Sequence, residues 1–507
     1  MRLCYLSFLV ALLGSLFLST ADSFAAGADT TAAEQVLRIQ MKMGIVRARV
    51  QAWLAAGGTP QQVASLSQDV DTYLTSGDLA KAETSTDSLF NIIVGATAST
   101  EAAQITALAT RIVGLHSPTE RWIAAGGDPN QVAPLWATLS GSLMSGSLAD
   151  VKTQIDRIEA FVAIPALCGT MTPSPPPTPQ SPPLIGTFPL GPVGFHALMD
   201  LVTGAGVNFF LFGNDWARLE PSPGTFDFGP SLVQPLTDML AGYPQFAGFG
   251  FLIYPFNGSS RLTPADLGSL PFDDPSVLAR FDALIDALAA EPLSAKLGYI
   301  LVGNEVDSVL TDPADVAAFV TFYERAVNRI HLKLPKVKVS TIVSADGAMA
   351  RTPKLFADLS ALSDFVAYTY YPTASTATGT WVMRPTSEVK ADLDWLAALA
   401  CDKPFAFTEI GYSSSIDLGS SESQQADFVR EVFAGLDTYR QQGRLAFLHY
   451  ESLYDLPPET CDAYSIQNSA VADSICTFLR SLGLRSYEDV PRQAWDAFIA
   501  AIDQWTR

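Results

Sequence analysis

Polar and apolar positions change rhythm twice along this chain. In the first third, apolar residues recur three and four apart, as at Val63, Leu66, Val70 and Leu74, which is the period of helices with one buried face. A stretch without any period follows, Pro173-Ser174-Pro175-Pro176-Pro177-Thr178-Pro179-Gln180-Ser181-Pro182-Pro183. Its prolines favour extended polyproline II, a semi-rigid spacer between modules. From Leu184 onward, short β-rich apolar runs alternate with helical patterns, which predicts βα units and a parallel sheet. Eight strands are expected, at 184–188, 207–212, 246–254, 298–303, 336–343, 364–370, 404–408 and 445–450. Helices are expected between them, including 275–290, 313–334, 387–400 and 421–441. This period suits a closed (β/α)8 barrel better than an open sheet. The expected fold class is therefore α/β, a (β/α)8 TIM barrel preceded by an all-α domain.

That all-α domain carries an internal duplication. Residues 51–89 resemble 120–158 at a constant offset of 69 positions. Trp53 matches Trp122, Ala55-Ala56-Gly57-Gly58 matches Ala124-Ala125-Gly126-Gly127, and Pro60 matches Pro129. In each copy glycines stop one helix, and Thr59-Pro60-Gln61-Gln62 or Asp128-Pro129-Asn130-Gln131 starts the next with an N-cap and a first-turn proline. Each copy reads as about three amphipathic helices. The domains expected are a signal peptide at 1–25, a helical repeat domain at 28–164, a proline-rich linker at 165–183 and a catalytic domain at 184–507. A spacer role or a binding role is open for the helical domain, and its partner is unknown.

Composition narrows the setting. Arg2, the apolar run at 6–18 and the small-residue pattern Ser23-Phe24-Ala25 read as a cleaved secretory signal, because the run is shorter than the ~20 residues a span needs. No later segment is read as transmembrane, so a secreted or periplasmic location without membrane attachment is expected. Of five cysteines, Cys4 leaves with the signal. Cys168, Cys401, Cys461 and Cys476 then allow three full pairings, of which Cys461 with Cys476 is preferred for its short loop. A net charge of −21 repels nucleic acid and anionic membranes. Neither a metal nor a cofactor is expected, since four histidines occur and no Cys-x-x-Cys or His-x-x-x-His spacing exists.

The chemistry is concentrated in two segments. Tyr299-Ile300-Leu301-Val302-Gly303-Asn304-Glu305 and Phe405-Ala406-Phe407-Thr408-Glu409 each run an apolar strand into a glutamate. A carboxylate closing a buried strand is costly unless it is bonded or used. In barrels of this kind the carboxyl ends of the strands form the active rim, so Glu305 and Glu409 are the candidate catalytic pair.

On these residues the segment from 184 to the end resembles the clan-A retaining glycoside hydrolases, whose acid/base glutamate follows an asparagine after strand four and whose nucleophile ends strand seven. Trp216-Ala217-Arg218-Leu219-Glu220-Pro221 with Gly224-Thr225-Phe226-Asp227-Phe228 is similar to their segment after strand two. Asp364-Phe365-Val366-Ala367-Tyr368-Thr369-Tyr370-Tyr371-Pro372 is similar to their strand six, and Leu482-Gly483-Leu484 with Pro491-Arg492-Gln493-Ala494-Trp495 to their closing segment. The chain departs from them in lacking an arginine on strand two, where Phe209-Phe210-Leu211-Phe212 stands, and a tryptophan ending strand eight, where His449-Tyr450 stand.

The resemblance implies double displacement, with Glu409 as nucleophile and Glu305 as acid/base, on a poly- or oligosaccharide substrate. It also implies that Asn304 holds the sugar 2-hydroxyl and that Tyr370 or Tyr371 hydrogen-bonds Glu409. Trp216, Tyr254, Trp381 and Tyr412 fall in or beside rim loops as candidate stacking platforms, and His449 as a candidate rim ligand. Asp307, Glu220 and Glu451 are read as charge-network residues. A glucan transglycosylase of the cell envelope, or a non-catalytic carbohydrate-binding or scaffold protein on the same barrel, are the alternatives.

Overall fold

The computed structural model describes residues 30–124, 129–168, 182–188, 191–257, 260–348, 353–376, 380–457, 459 and 470–506. The expected signal peptide and most of the proline-rich stretch lie outside them. The chain forms two compact units, Met1–Ala163 and Ile164–Arg507.

The first unit is built from helices α1 (Thr30–Ala55), α2 (Pro60–Ser76), α3 (Leu79–Val94), α4 (Ala98–Ala124), α5 (Pro129–Ser145) and α6 (Leu148–Cys168). Both boundaries of α2 and the start of α3 recur in α5 and α6 at the offset of 69 read in the sequence, while α6 runs five residues further than α3. Gly77 closes α2 in the left-handed region at φ 78°, and the Asp78 carboxylate caps α3 through the Lys81 amide at 3.2 Å. Thr59 occupies the N-cap of α2 without a side-chain capping bond, so Pro60 supplies the start. An ion pair repeats with the fold: Lys42 of α1 meets Asp87 of α3, and 69 residues later Arg111 of α4 meets Asp156 of α6 at 2.5 Å. Where α1 crosses the end of α5, Gly44 and Gly146 touch backbone to backbone. A Cβ on Gly146 would stand 2.6 Å from the Gly44 carbonyl oxygen.

One segment bears on the expectation that no later stretch is transmembrane. Leu79–Leu115 is long and apolar enough, by length and composition, to cross a membrane. In this unit it is two helices joined by the short 3-10 turn Gly95–Thr97, and it carries Glu83, Asp87, Glu101 and Arg111 in ion pairs.

The second unit alternates strands and helices. Its parallel strands are β1 (Ile185–Thr187), β2 (Phe209–Asp215), β3 (Gly248–Asn257), β4 (Tyr299–Asn304), β5 in two segments (Lys338–Ser340 and Ile342–Ser344), β6 (Val366–Tyr370), β7 (Phe405–Ile410) and β8 (Leu445–Tyr450), with three short antiparallel strands at Ser260–Arg261, Thr373–Ser375 and Trp381–Met383. Helices α7 (Phe195–Gly204), α8 (Gln234–Gly242), α9 (Pro275–Ala290), α10 (Pro313–Lys333), α11 (Pro353–Leu362), α12 (Val389–Leu399), α13 (Glu422–Gln441), α14 (Ala470–Leu479) and α15 (Gln493–Thr506) accompany them.

All pairings among β1 to β8 are parallel. One sheet runs β2-β3-β4-β5 through the first segment of β5, and the other runs β1-β8-β7-β6-β5 through the second. The sheets adjoin twice. Thr341 alone separates the two segments of β5, and at the other side the Asn208 amide donates to the Ile185 carbonyl at 3.0 Å while its side chain accepts from the Ile185 amide at 2.9 Å.

Both sheets fill one core. Phe209, Tyr299, Phe365 and Phe447 come from in or beside β2, β4, β6 and β8 and contact each other ring to ring. Phe209 stacks on Phe447 with ring centroids 4.6 Å apart. Burying such a ring stabilises by about 1.5–3 kcal/mol, and truncating one to alanine costs about 3–5 kcal/mol. This layer forms a solid floor beneath the carboxyl ends of the strands.

Candidate active site

Asp215, Asn257, Glu305, Glu409 and Glu451 stand at the carboxyl ends of β2, β3, β4, β7 and β8, either as one of the last residues of the strand or the residue after it. Glu305 follows β4 directly and adopts left-handed backbone angles, φ 47° and ψ 46°, just after Gly303 at φ 89°. A non-glycine residue there is held by its surroundings against a local cost of about 1–3 kcal/mol. The carbonyl of Glu305 accepts from the Ser308 amide at 2.9 Å, and Asp307 is anchored by the amide and hydroxyl of Ser344 at 2.7 and 2.6 Å. Together these bonds turn the chain sharply at Glu305.

Four polar contacts organise the pair of glutamates. The Thr369 hydroxyl of β6 donates to Glu305 Oε1 at 2.7 Å. The Tyr371 hydroxyl donates to Glu409 Oε2 at 2.8 Å. The amide of Asn304 donates to Glu409 Oε1 at 3.2 Å and to Asn257 Oδ1 at 3.1 Å. A carboxylate only accepts, so Glu409 fixes the orientation of that amide. The opposite atom, Asn304 Oδ1, is buried and has no partner among the described residues.

The electrostatics separate the two acids. Burial, followed by the charge of Glu409, pushes the Glu305 carboxyl up to about 7 against the 3.9 to 4.5 range usual for acids. Burial also raises Glu409, but the bonds from Tyr371 and Asn304 act in the opposite sense and favour its ionised form. The two titrate as a pair in which Glu409 gives up its proton first. Glu451 lies beside them, because its amide donates to the Ile410 carbonyl of β7 at 2.9 Å. Burial and the Glu409 charge raise it well above its ordinary value.

The other expected site residues divide. Trp381 is half-buried and stands edge-on to Phe478, which stands edge-on to Tyr371, so two rings separate it from Glu409. Tyr254, partly buried above the core, feels the charges of Glu409, Glu451 and Asp215.

Four expectations are corrected. Trp216 is 0% exposed, donates its indole N–H to Glu220 at 3.0 Å and packs on Phe281 and Phe322, so it belongs to the core and offers no sugar platform. Tyr370 is 1% exposed and bonds Asp392 at 2.8 Å on the helix side of β6, leaving Tyr371 as the partner of Glu409. Successive strand residues face opposite ways, and the sequence does not say which of two adjacent tyrosines points inward. His449 is 2% exposed, lies against Gly186 of β1, and is pushed down to about 4 by burial, so it is a neutral interior residue below the rim.

Tyr412 is likewise buried, its hydroxyl on the Arg384 carbonyl at 2.7 Å. Glu220 is a network residue as expected, held by Arg280 at 2.5 Å. Glu451 is instead a neighbour of Glu409. Sequence reasoning missed Thr369 and Asn257, although both stand near the carboxyl ends of apolar strands, the signal that found Glu305. Cys401 and Cys476 are disulfide-bonded, while Cys461, the expected partner of Cys476, lies outside the described residues.

No protein-family model and no curated protein matches this chain in sequence. Solved structures similar in arrangement include glycoside hydrolases of more than one family, so they assign this chain to no individual family. An exo-beta-1,4-mannosidase from Opitutaceae bacterium strain TAV5 is 16% identical over 66% of this chain and 62% of its own, with a TM-score of 0.47. A family 39 glycoside hydrolase from Bacteroides cellulosilyticus WH2 is 14% identical, covering 62% of each chain, with a TM-score of 0.42. A GH5_18 protein from Bifidobacterium longum subsp. infantis is 15% identical over 64% of this chain and 79% of its own, with a TM-score of 0.46. This chain spans 62% of the length of the first two.

Proposed function

We propose that the protein is an exported, retaining glycoside hydrolase acting on the β-linkages of a poly- or oligosaccharide. The observation that carries this reading is the pair of strand-end carboxyls, one raised to about 7 and the other held by two donors. The second unit is read as a closed (β/α)8 barrel. Supporting this are the parallel strand order, the two junctions between the sheets, and the four-ring layer drawn from alternate strands, which is how barrel interiors fill.

In this reaction Glu409, ionised, attacks the anomeric carbon. Glu305, protonated, gives its proton to the leaving glycosidic oxygen. The glycosyl-enzyme ester then forms on Glu409, and Glu305, now ionised, takes a proton from the water that hydrolyses it. Two inversions leave the configuration unchanged. Tyr371 and Asn304 fix the attacking oxygens, and the free Asn304 Oδ1 is an acceptor for a donor on the sugar. Thr369 orients Glu305 and opposes the rise in its pKa, since its bond favours the ionised form.

A panel of aryl β-glycosides and polysaccharides, with the first-formed anomer followed by proton NMR, tests the reading. The β-anomer is expected first. An α-anomer first would replace double displacement with inversion, and no cleavage across the panel would remove the hydrolase reading. Glu305→Gln is expected to slow substrates with poor leaving groups about 10²- to 10⁴-fold, the usual contribution of a general acid, and activated aryl substrates least.

A further inference from the structure

Among the described residues, no lysine or arginine is among the groups whose charge acts on Glu305, Glu409 or Glu451. Elsewhere in the same unit buried or partly buried acids are answered by arginine: Glu220 by Arg280, Asp392 by Arg384, and Asp455 by Arg492. At the rim Asp307 adds negative charge against Glu305, as does Asp346, which also faces Arg384, while Asp215, which acts on Tyr254, pairs with the exposed Arg218 at 3.3 Å. Two carboxyls suffice for double displacement, so Glu451 is an additional acid.

A second observation points to the missing partner. Asn304 is 5% exposed, its amide nitrogen is committed to Glu409 and Asn257, and its Oδ1 is left without a donor. An unmatched buried acceptor is unfavourable until something donates to it. A protonated amine supplies both missing elements, because it carries three donors and one positive charge. A neutral hydroxyl supplies a donor alone.

We propose that the reacting sugar carries a free, protonated amine, as in a β-linked 2-amino-2-deoxy sugar, and that Glu451 is the specificity residue that receives its charge. This rests on the glycosidase reading for the place of the sugar and adds its chemical class. The overall charge of −21 acts in the same direction at longer range, since a polycationic substrate is drawn toward the protein while a polyanionic one is repelled.

The test uses the full chain and two readouts, binding by calorimetry and turnover, on β-1,4-linked glucosamine oligosaccharides, their fully N-acetylated counterparts, and neutral β-1,4-gluco- and manno-oligosaccharides. Binding of the free-amine series is expected to be about 10- to 100-fold tighter than that of the acetylated series, the worth of a hydrogen bond to a charged group. This preference should shrink with added salt and fall severalfold in Glu451→Gln. Equal or weaker binding of the amine series, a preference indifferent to salt, or one unchanged in Glu451→Gln would overturn the inference, whether or not any sugar is cleaved. Conversely, amine-selective binding without turnover would keep the inference and remove the hydrolase reading, so the two fail separately.

Discussion

Tyr370 and Tyr371 are neighbours in sequence and end in opposite electrostatic regions. Tyr370 points to the helix side, where Asp392 is held by Arg384 as well as by the tyrosine hydroxyl, each at 2.7 or 2.8 Å. Tyr371 points to the strand ends, where Glu409 receives only neutral donors and faces two further carboxyls. In the first region the buried Asp392 carboxylate has an opposite charge beside it, and the net effect is structural. In the second, no lysine or arginine among the described residues answers the three carboxyls, an arrangement whose cost to stability a bound partner or a reaction step returns. The contrast separates a scaffold acid from a working one without reference to sequence position.

The largest way to break that contrast is to remove one acid from each region. Glu409→Ala should lower turnover by about 10⁴-fold or more, as expected for a lost nucleophile, with thermal unfolding unchanged or moved upward. Asp392→Ala should do the reverse, costing about 3 kcal/mol by leaving Arg384 partly unpaired while the catalytic carboxyls stay in place. Denaturant unfolding and turnover measured on both variants check this, and a stable, inactive Asp392→Ala protein would dissolve the distinction.

A smaller effect sharpens it through pH. A carboxyl raised in the folded state binds its proton more tightly there than in the unfolded chain. Its stabilising contribution is therefore complete below the unfolded value near 4.5 and is lost as pH rises through about 7. Glu305→Gln should abolish that dependence and leave the protein about 1–3 kcal/mol more stable than wild type above pH 7. The same proton sets the alkaline limb of kcat/KM, which should fall as pH rises through about 7 and flatten for activated leaving groups in the variant. A limb well above pH 8 would move the acid role to another group.

The smallest comparison is between the tyrosines. Tyr371→Phe should reduce kcat about tenfold through a single lost bond to the nucleophile, with little change in stability. Tyr370→Phe should cost about 1–3 kcal/mol of stability by leaving Asp392 short of a donor, with turnover preserved.

Much of this was legible in the chain. The strand positions at 298–303, 404–408 and 445–450 and the helix at 275–290 fall on β4, β7, β8 and α9 within two residues, because the strands are unbroken apolar runs and the helix couples a clear period to the cap Asp274 before Pro275. Glu305 and Glu409 were visible because a charge ending an apolar run is conspicuous. What stayed hidden depends on facing. Trp216 looks like a rim aromatic until its indole is seen turned into the layer of Phe281 and Phe322. Glu451 looks like one more acid in an acidic chain until β8 is placed beside β7. His449 has a polar ring, and nothing in its neighbours Leu448 and Tyr450 announces that it lies below the rim.

The role of Glu409 is tested most directly by incubating the protein with a panel of fluorinated glycosyl fluorides, which trap a glycosyl-enzyme ester, and locating the label by peptide mass spectrometry. A single adduct on the peptide bearing Glu409, absent in Glu409→Ala, is the expected result. An adduct on Glu305 or Glu451, or inactivation without any covalent adduct, would contradict the assignment.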